Sequence, residues 1–413
     1  MRAIIFKATG LFQYDVVNHF AEELGQGLVE LGWKVDFIET NQSKESIFKH
    51  TVSVIHQGVD VAFHFNGFMV RDINGTNQVM TCLRECGIPM GIIFVDHPFH
   101  HITRIYDVDP QQVFMCFYET SFLNSFEKFI NRNIPIAQLM HGASMSRNQA
   151  GAFGGGPVMH KERDIIFAGT IGKPTEFDET LASIGEPLFQ SIMTEVYEKA
   201  RGHYHKPLDD YLEEVLSQKK ISTEIIKNSE PVSRFIAQTM AAMDKSLRQQ
   251  FRYQALKTLL ESGFQVHLFG NCQVKELEGH PCLFDHGPVP YHQLLMEMAK
   301  SKMVIHDMNV CANGSHERVL SAMLRHTLVL SNRNHFCNGD LEEDKHLVYY
   351  DVNQPGELVD KVDNYLKNET KRTEITQQAY DAVVQKHTWK HRAVEMNTIF
   401  NAYSQFQTPL SED

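Results

Sequence analysis

Strand-length apolar runs alternate with helix-period stretches through residues 1–150. The runs fall at 3–7, 34–39, 59–65, 91–95, 113–118 and 136–140. Between the first two, residues 14–31 repeat apolar side chains at helical spacing through Val17, Phe20, Leu24, Leu28 and Leu31. Further helices are predicted over 75–85 and 123–131. Near-continuous apolar strands separated by amphipathic helices imply a parallel sheet covered on both faces. In such a sheet ligands lie outside the carboxyl ends of the strands. Thr9-Gly10, Asn66-Gly67, Asp96-His97, Glu119 and His141-Gly142 should therefore share one edge.

The pattern breaks between 146 and 163, where Ser, Asn, Gly and Pro replace the apolar period around Gly154-Gly155-Gly156-Pro157. This predicts a first domain over 1–150 and a linker over 151–163. A second domain opens at residue 164 with the strand Asp164-Ile165-Ile166-Phe167 and the small-residue loop Ala168-Gly169-Thr170. A long helical stretch follows, carrying Phe235, Met240, Met243, Leu247, Phe251 and Leu256. It exceeds what one crossover needs, so residues 174–246 read as a helical insertion. Alternation then resumes, with a strand over 265–269 ending at Gly270-Asn271, another over 282–284, a helix from Tyr291, and a strand-helix pair over 346–366. Two helices close the chain, which places the second domain over 164–387 and a closing segment over 388–413. The fold class expected is α/β, with two Rossmann-like domains.

The most informative unit runs from Met303 to Asn332. A strand, Met303-Val304-Ile305-His306-Asp307, leads through Asn309 and Gly314 into Ser315-His316-Glu317-Arg318 and a helix, then a second apolar strand. Unpaired N–H groups and the positive end of a helix dipole suit such a loop to an anion. Ser315 is the expected N-cap, and Gly314 permits close backbone approach. A carboxylate in the first turn can accept from ribose hydroxyls, while His and Arg can donate to phosphate. The same residues also suit an ordinary α/β connection whose Glu complements the dipole.

Gly314-x-His316-Glu317-Arg318-Val319, followed by Ala322-Met323 and an apolar strand, resembles the donor-site helix of spore-maturation-type glycosyltransferases, which have the two-domain GT-B fold. Asp96-His97-Pro98, Leu139-Met140-His141-Gly142-Ala143 and His387-Thr388-Trp389-x-His391-Arg392 extend the resemblance along most of the chain. Two departures stand out: Ser321 occupies a position where many GT-B enzymes carry a carboxylate, and His326-Thr327 replaces a Gly-Thr or Gly-Ala turn. Glu317 is the substitute ribose partner. The resemblance implies a nucleotide-sugar donor bound by the second domain, an acceptor held by the first, and a C-terminal helix returning to the first. The implied donor set is Gly10, His141, Gly169, Thr170, Gly270, Asn271, Asn309, Gly314, Ser315, His316, Glu317 and Arg318. It implies no resident cofactor and no bound metal, because helix-end N–H groups and cations stabilise the leaving diphosphate. A GT-B sugar-nucleotide epimerase and a catalytically degenerate scaffold are the rival readings.

Composition narrows these options. The 413 residues suffice for two cores, and a formal charge of -12 without a basic run argues against nucleic-acid binding. Residues 9–12 lack the Gly-x-Gly-x-x-Gly fingerprint of a dinucleotide oxidoreductase, and no P-loop occurs. Seven scattered cysteines, no signal peptide before the strand at Ala3 and no apolar run of membrane-spanning length suggest a cytoplasmic protein. Asp96 reads either as a general base for the acceptor or as the cap of the following turn, with His97 and Glu119 as alternative bases. His97 and His101 are spaced four apart as in a metal site, yet Pro98 spoils the helix that spacing assumes. Asp107-Val108-Asp109 resembles the metal-binding Asp-x-Asp of another glycosyltransferase class, but precedes Pro110 in a probable turn sequence.

Overall fold

The computed structural model describes residues 1–8, 15–68, 77–147, 153–154, 160–173, 176–202, 206–307, 312–334 and 339–407. Two compact units divide the chain: Met1–Ser144 with His387–Asp413, and Met145–Lys386.

The first unit is built on six parallel strands: β1 (Arg2–Lys7), β2 (Lys34–Glu39), β3 (Val61–Phe65), β4 (Met90–Phe94), β5 (Val113–Phe117) and β6 (Ile136–Gln138). Their spatial order is β2-β1-β3-β4-β5-β6. Every residue of β3, β4 and β5 is buried, which is why these strands read as unbroken apolar runs. Each Val, Ile, Phe or Met among them contributes about 1.5–3 kcal/mol by leaving water. Helices α1 (Val16–Glu30), α2 (Lys44–Ile55), α3 (Gln78–Glu85), α4 (Ile102–Asp107) and α5 (Thr120–Phe129) connect them.

The second unit begins with a two-residue ribbon, β7 (Ser146–Arg147) and β8 (Phe153–Gly154). Its sheet comprises β9 (Arg163–Ala168), β10 (Val266–Phe269), β11 (Leu283–Asp285), β12 (Ser301–His306), β13 (Leu328–Asn332) and β14 (Val348–Tyr350). All are parallel, in the order β11-β10-β9-β12-β13-β14. The order reverses direction between β9 and β12, the switch point at which doubly wound sheets hold ligands.

Five helices separate β9 from β10: α6 (Glu176–Ser183), α7 (Pro187–Gly202), α8 (Leu208–Gln218), α9 (Glu224–Lys227) and α10 (Glu230–Glu261). The last corresponds to the long helical stretch expected from the sequence and passes through the point where the insertion was expected to end. It is one 32-residue helix that runs straight through residue 246. No helix-breaker interrupts it there, and Ser246 and Leu247 are both buried. The end of the expected insertion and the helix that follows it are therefore a single rod. Helices α11 (Tyr291–Ala299), α12 (Glu317–Met323), α13 (Pro355–Lys367) and α14 (Glu369–Lys386) complete the unit.

The closing helix, α15 (Trp389–Gln407), lies against α1 in the first unit. An ideal Cβ on Gly27 would come within 2.7 Å of the Ala393 Cβ, so the two helices meet this closely only because residue 27 is glycine. Trp389 packs on Phe20 and Phe65, with ring centroids 5.0 and 5.8 Å away. Ala143 donates its N–H to the His387 carbonyl at 2.6 Å. The His387–Arg392 motif thus fastens the last helix beside the end of β6. Among the described residues no helix is long and apolar enough to cross a membrane.

Candidate functional site

At the switch point of the second sheet, three strand ends bring charged groups together. Arg252, from the middle of α10, donates Nε–H to Asp307 Oδ2 at 2.6 Å and Nη1–H to the Thr170 carbonyl at 3.4 Å. Arg318, in the first turn of α12, donates Nη1–H to the Ala168 carbonyl at 2.5 Å. Burial pushes the Arg252 guanidinium down, Asp307 pulls it up, and neighbouring Arg318 and Arg248 push it down again. The edge therefore holds two guanidiniums, the buried Arg252 paired with Asp307 and the half-buried Arg318 paired with Glu317.

Around this pair the ligand-facing backbone is shaped by glycine. Gly169 and Gly270 sit at φ 151° and 153°, a region that other residues rarely adopt. A Cβ on Gly270 would fall 2.2 Å from the Gly169 carbonyl oxygen, and one on Gly169 would meet Arg318 Nη1 at 3.1 Å. Both glycines are thus required by the close approach of β9 to β10 and of β9 to Arg318. Thr170 lies beside them, and Ile171 donates to the Asn271 carbonyl at 2.8 Å. Gln249, one helical turn before Arg252, accepts from the Gly172 N–H at 2.5 Å.

The start of α12 differs from the sequence expectation. His316, not Ser315, is the N-cap; its Nδ1 faces the Arg318 N–H at 3.3 Å. Ser315 is buried one residue earlier, and the Gly314 carbonyl accepts from Asn334 Nδ2 at 2.6 Å. The local sequence explains the shift: an imidazole reaches the same amide from one residue later. Glu317 lies against the His316 ring and forms an ion pair with Arg318 Nε at 3.3 Å. Its carboxylate therefore holds the two cation-capable side chains of the turn. The His306 ring, at the end of β12, packs 4.8 Å from the His316 ring. Burial, followed by the neighbouring cationic groups, lowers His306 well below the usual histidine range. Burial also lowers His316, against the pull of Glu317. Ser321 is fully buried and faces Tyr291, with 3.4 Å between hydroxyl oxygens.

The carboxyl edge of the first sheet carries different chemistry. Asp96, just past β4, keeps about a third of its side chain exposed (33%) and approaches His101 Nε2 at 3.7 Å. His97 caps the short 3-10 turn Pro98–His101 by accepting from the Phe99 N–H at 3.2 Å. The cap of that turn is therefore His97. Its ring packs against Phe99 and Phe122, while His101 faces Asp96 and Arg104, so the two histidines engage different partners. Glu119 is fully buried and accepts from Ser121 Oγ at 2.5 Å. His141 is 2% exposed and packs against Phe20 and Tyr118. Asp109 precedes β5, at the opposite edge of the sheet from Asp96, and accepts from the Gln111 N–H. Gly10 and Asn309 lie outside the described residues.

The structure thus gathers Gly169, Thr170, Gly270, Asn271, Gly314, Ser315, His316, Glu317 and Arg318 on one edge of the second sheet. Sequence reasoning missed Arg252, Asp307 and Gln249. The available signal was an arginine and a glutamine inside the apolar stripe of a long helix, where a polar side chain needs a buried partner.

Residues 248–398 match the glycosyl transferase-like family. No curated protein matches the chain in sequence. Among solved structures, sucrose-phosphate synthase from Thermosynechococcus elongatus is similar at TM-score 0.54 and 8% identity, covering 98% of this chain and 100% of that one. An alpha-glucosyltransferase in complex with UDP-glucose and DNA containing an abasic site reaches 0.55 at 11% identity, over 97% and 99% of the two chains. The DNA-modifying beta-glucosyltransferase, solved with and without uridine diphosphoglucose, reaches 0.51 at 10%, over 97% and 100%. Across its length the chain has the GT-B fold of these glycosyltransferases, and its residues 248–398 carry the glycosyl transferase-like family pattern.

Proposed function

We propose that this chain is a glycosyltransferase that takes its sugar from a nucleotide-activated donor, held by its diphosphate at the carboxyl edge of the second sheet. The observation that carries this reading is the convergence of Arg252 and Arg318 on the switch point between β9 and β12. Fixed cations in a buried site stabilise the charge that develops on a departing diphosphate. Arg318 and the Thr170 N–H are the diphosphate contacts, with Gly169, whose own N–H donates to the Phe269 carbonyl, admitting the close approach, and Glu317 is the ribose partner. Solved relatives of the fold were crystallised with UDP-glucose, so UDP-glucose is the donor to test first.

On an inverting path, the acceptor heteroatom bonds to the sugar C1 as the C1–O bond to diphosphate breaks. The electron pair leaves with the nucleotide, and the acceptor proton passes to Asp96. Asp96 suits this task because its carboxylate is at a strand end and partly exposed, whereas Glu119 is enclosed. The finer assignment to a spore-maturation-type enzyme rests on the Gly314–Val319, Asp96–Pro98 and His387–Arg392 motifs, metal independence on the cationic and N–H donors for the diphosphate, and a cytoplasmic location on the scattered cysteines. The acceptor class is open. Two similar enzymes act on or are bound to DNA, while a charge of -12 disfavours a polyanion. The decisive experiment incubates the protein with UDP-glucose and follows products by NMR. Slow release of glucose and UDP supports transfer to water. Inversion at C2 would instead make it an epimerase, and absence of any nucleotide-sugar binding would make it a scaffold.

A further inference from the structure

We infer that His101 is a positioning residue that orients the Asp96 carboxylate, and that Arg104 fixes the tautomer in which it does so. This rests on the reading of Asp96 as the base. Arg104 Nη1 lies 2.9 Å from His101 Nδ1. A guanidinium can only donate, so Nδ1 accepts, and the single ring proton of a neutral imidazole resides on Nε2. Nε2 is the atom that faces Asp96 Oδ2, at 3.7 Å. That separation is long for a hydrogen bond, as catalytic contacts often are before substrate binds.

Arg104 is itself held in place. Arg104 Nη1 also donates to the Asn66 carbonyl at 2.7 Å, and its guanidinium stacks 4.1 Å above the Phe68 ring. Asn66, in the left-handed conformation at φ 56°, turns its side chain to accept from the Val95 N–H at 3.0 Å. Val95 is the residue before Asp96. The ends of β3 and β4, Arg104, His101 and Asp96 therefore form one ring of contacts at the carboxyl edge. His101 is 6% exposed and packs on Phe94, with centroids 4.8 Å apart and the rings tilted by 30°. Burial lowers its pKa, with Arg104 and His100 acting in the same direction and Asp96 opposing them. A neutral donor at this position steers the carboxylate without the strong acidifying effect that a fixed cation would have.

The test uses the full-length protein with 15N-labelled histidine. Long-range 1H–15N spectra should place His101 in the Nε2–H form, and Asp96→Asn should shift its Nε2 resonance while leaving that of His97 unchanged. In UDP-glucose hydrolysis, His101→Phe keeps the ring packing but removes both polar atoms. It should lower kcat about 10–100-fold, the usual effect of removing an orienting partner, with KM nearly unchanged. His101→Gln, which retains a donor and an acceptor, should recover part of that loss. An Nδ1–H tautomer, or an Nε2 resonance indifferent to Asp96→Asn, overturns the inference whatever the rates are. Loss of rate in Asp96→Asn with none in His101→Phe overturns it too. An unimpaired Asp96→Asn instead refutes the underlying assignment of the base.

Discussion

Each sheet is six-stranded and parallel, yet their carboxyl edges carry opposite chemistry. The second edge is organised by two guanidiniums, the buried Arg252 locked to Asp307 and the half-buried Arg318 bound to a backbone carbonyl. The first is organised by a partly exposed carboxylate beside a neutral imidazole. Fixed cations pre-organise a place for an anion and change little during reaction. A carboxylate with water access and a steering neighbour is suited to accept a proton. On the proposed reading, binding at one edge and proton transfer at the other come from the side chains grafted on two similar sheets rather than from their topology.

The sharpest way to break this contrast is to neutralise Asp96. Asp96→Asn preserves shape and removes the proton acceptor, and should reduce transfer to the acceptor by ~10²–10⁴-fold. Affinity for UDP, measured by titration calorimetry, should stay near wild type. A parallel collapse of UDP affinity would mean the two edges do not divide the labour.

Asp307 tests the other side. Arg252 and Asp307 are both buried (9% and 5% side-chain exposure), so Asp307→Ala strands a guanidinium that also faces Arg318. Removing one partner of a buried pair costs about 3–5 kcal/mol, to be read as a lowered midpoint in urea unfolding. Asp307→Leu combined with Arg252→Met should recover much of that stability while leaving diphosphate binding weak. Additive losses in the double variant would show that the pair is not a unit.

Much of this contrast was legible in the residues. Both sheets were, because parallel strands buried on two faces must be apolar at nearly every position, as in Val113–Phe117. The Gly314–Arg318 loop was, because cap chemistry is local. Helix α2 escaped notice: it buries only Ile47, Thr51 and Val54, too thin a stripe to stand out. The cap shifted from Ser315 to His316 because two adjacent residues could both reach the same amide, a choice that packing makes. Arg252 and Arg104 were invisible for a different reason. Their roles depend on Asp307, 55 positions away, and on Asn66, 38 away, and no local pattern encodes such a pairing.

Arg318 and Glu317 allow a finer cut within the cationic edge. Arg318→Ala should weaken UDP and inorganic diphosphate alike, by ~1.5–3 kcal/mol for a lost charge-assisted hydrogen bond. Glu317→Ala should weaken UDP while hardly touching inorganic diphosphate, since its proposed partner is ribose. Equal losses for both ligands would instead assign Glu317 to holding His316 and Arg318 in place, which its contacts already do.

The smallest expected effect is none at all. If guanidiniums and backbone N–H groups carry the leaving diphosphate, a divalent ion has no charge left to neutralise. The acidic pair that resembles a metal motif is badly placed for the task. Asp107 ends α4 and Asp109 precedes β5, at the amino edge of the first sheet, where Asp109 faces Arg84 at 3.8 Å. UDP-glucose turnover should therefore survive dialysis against EDTA, and Asp109→Asn should leave it unaltered. Loss of activity on chelation with recovery on adding Mn²⁺ would move the charge-stabilising role from Arg252 and Arg318 to a cation. The contrast between the two edges would then need a metal to complete it.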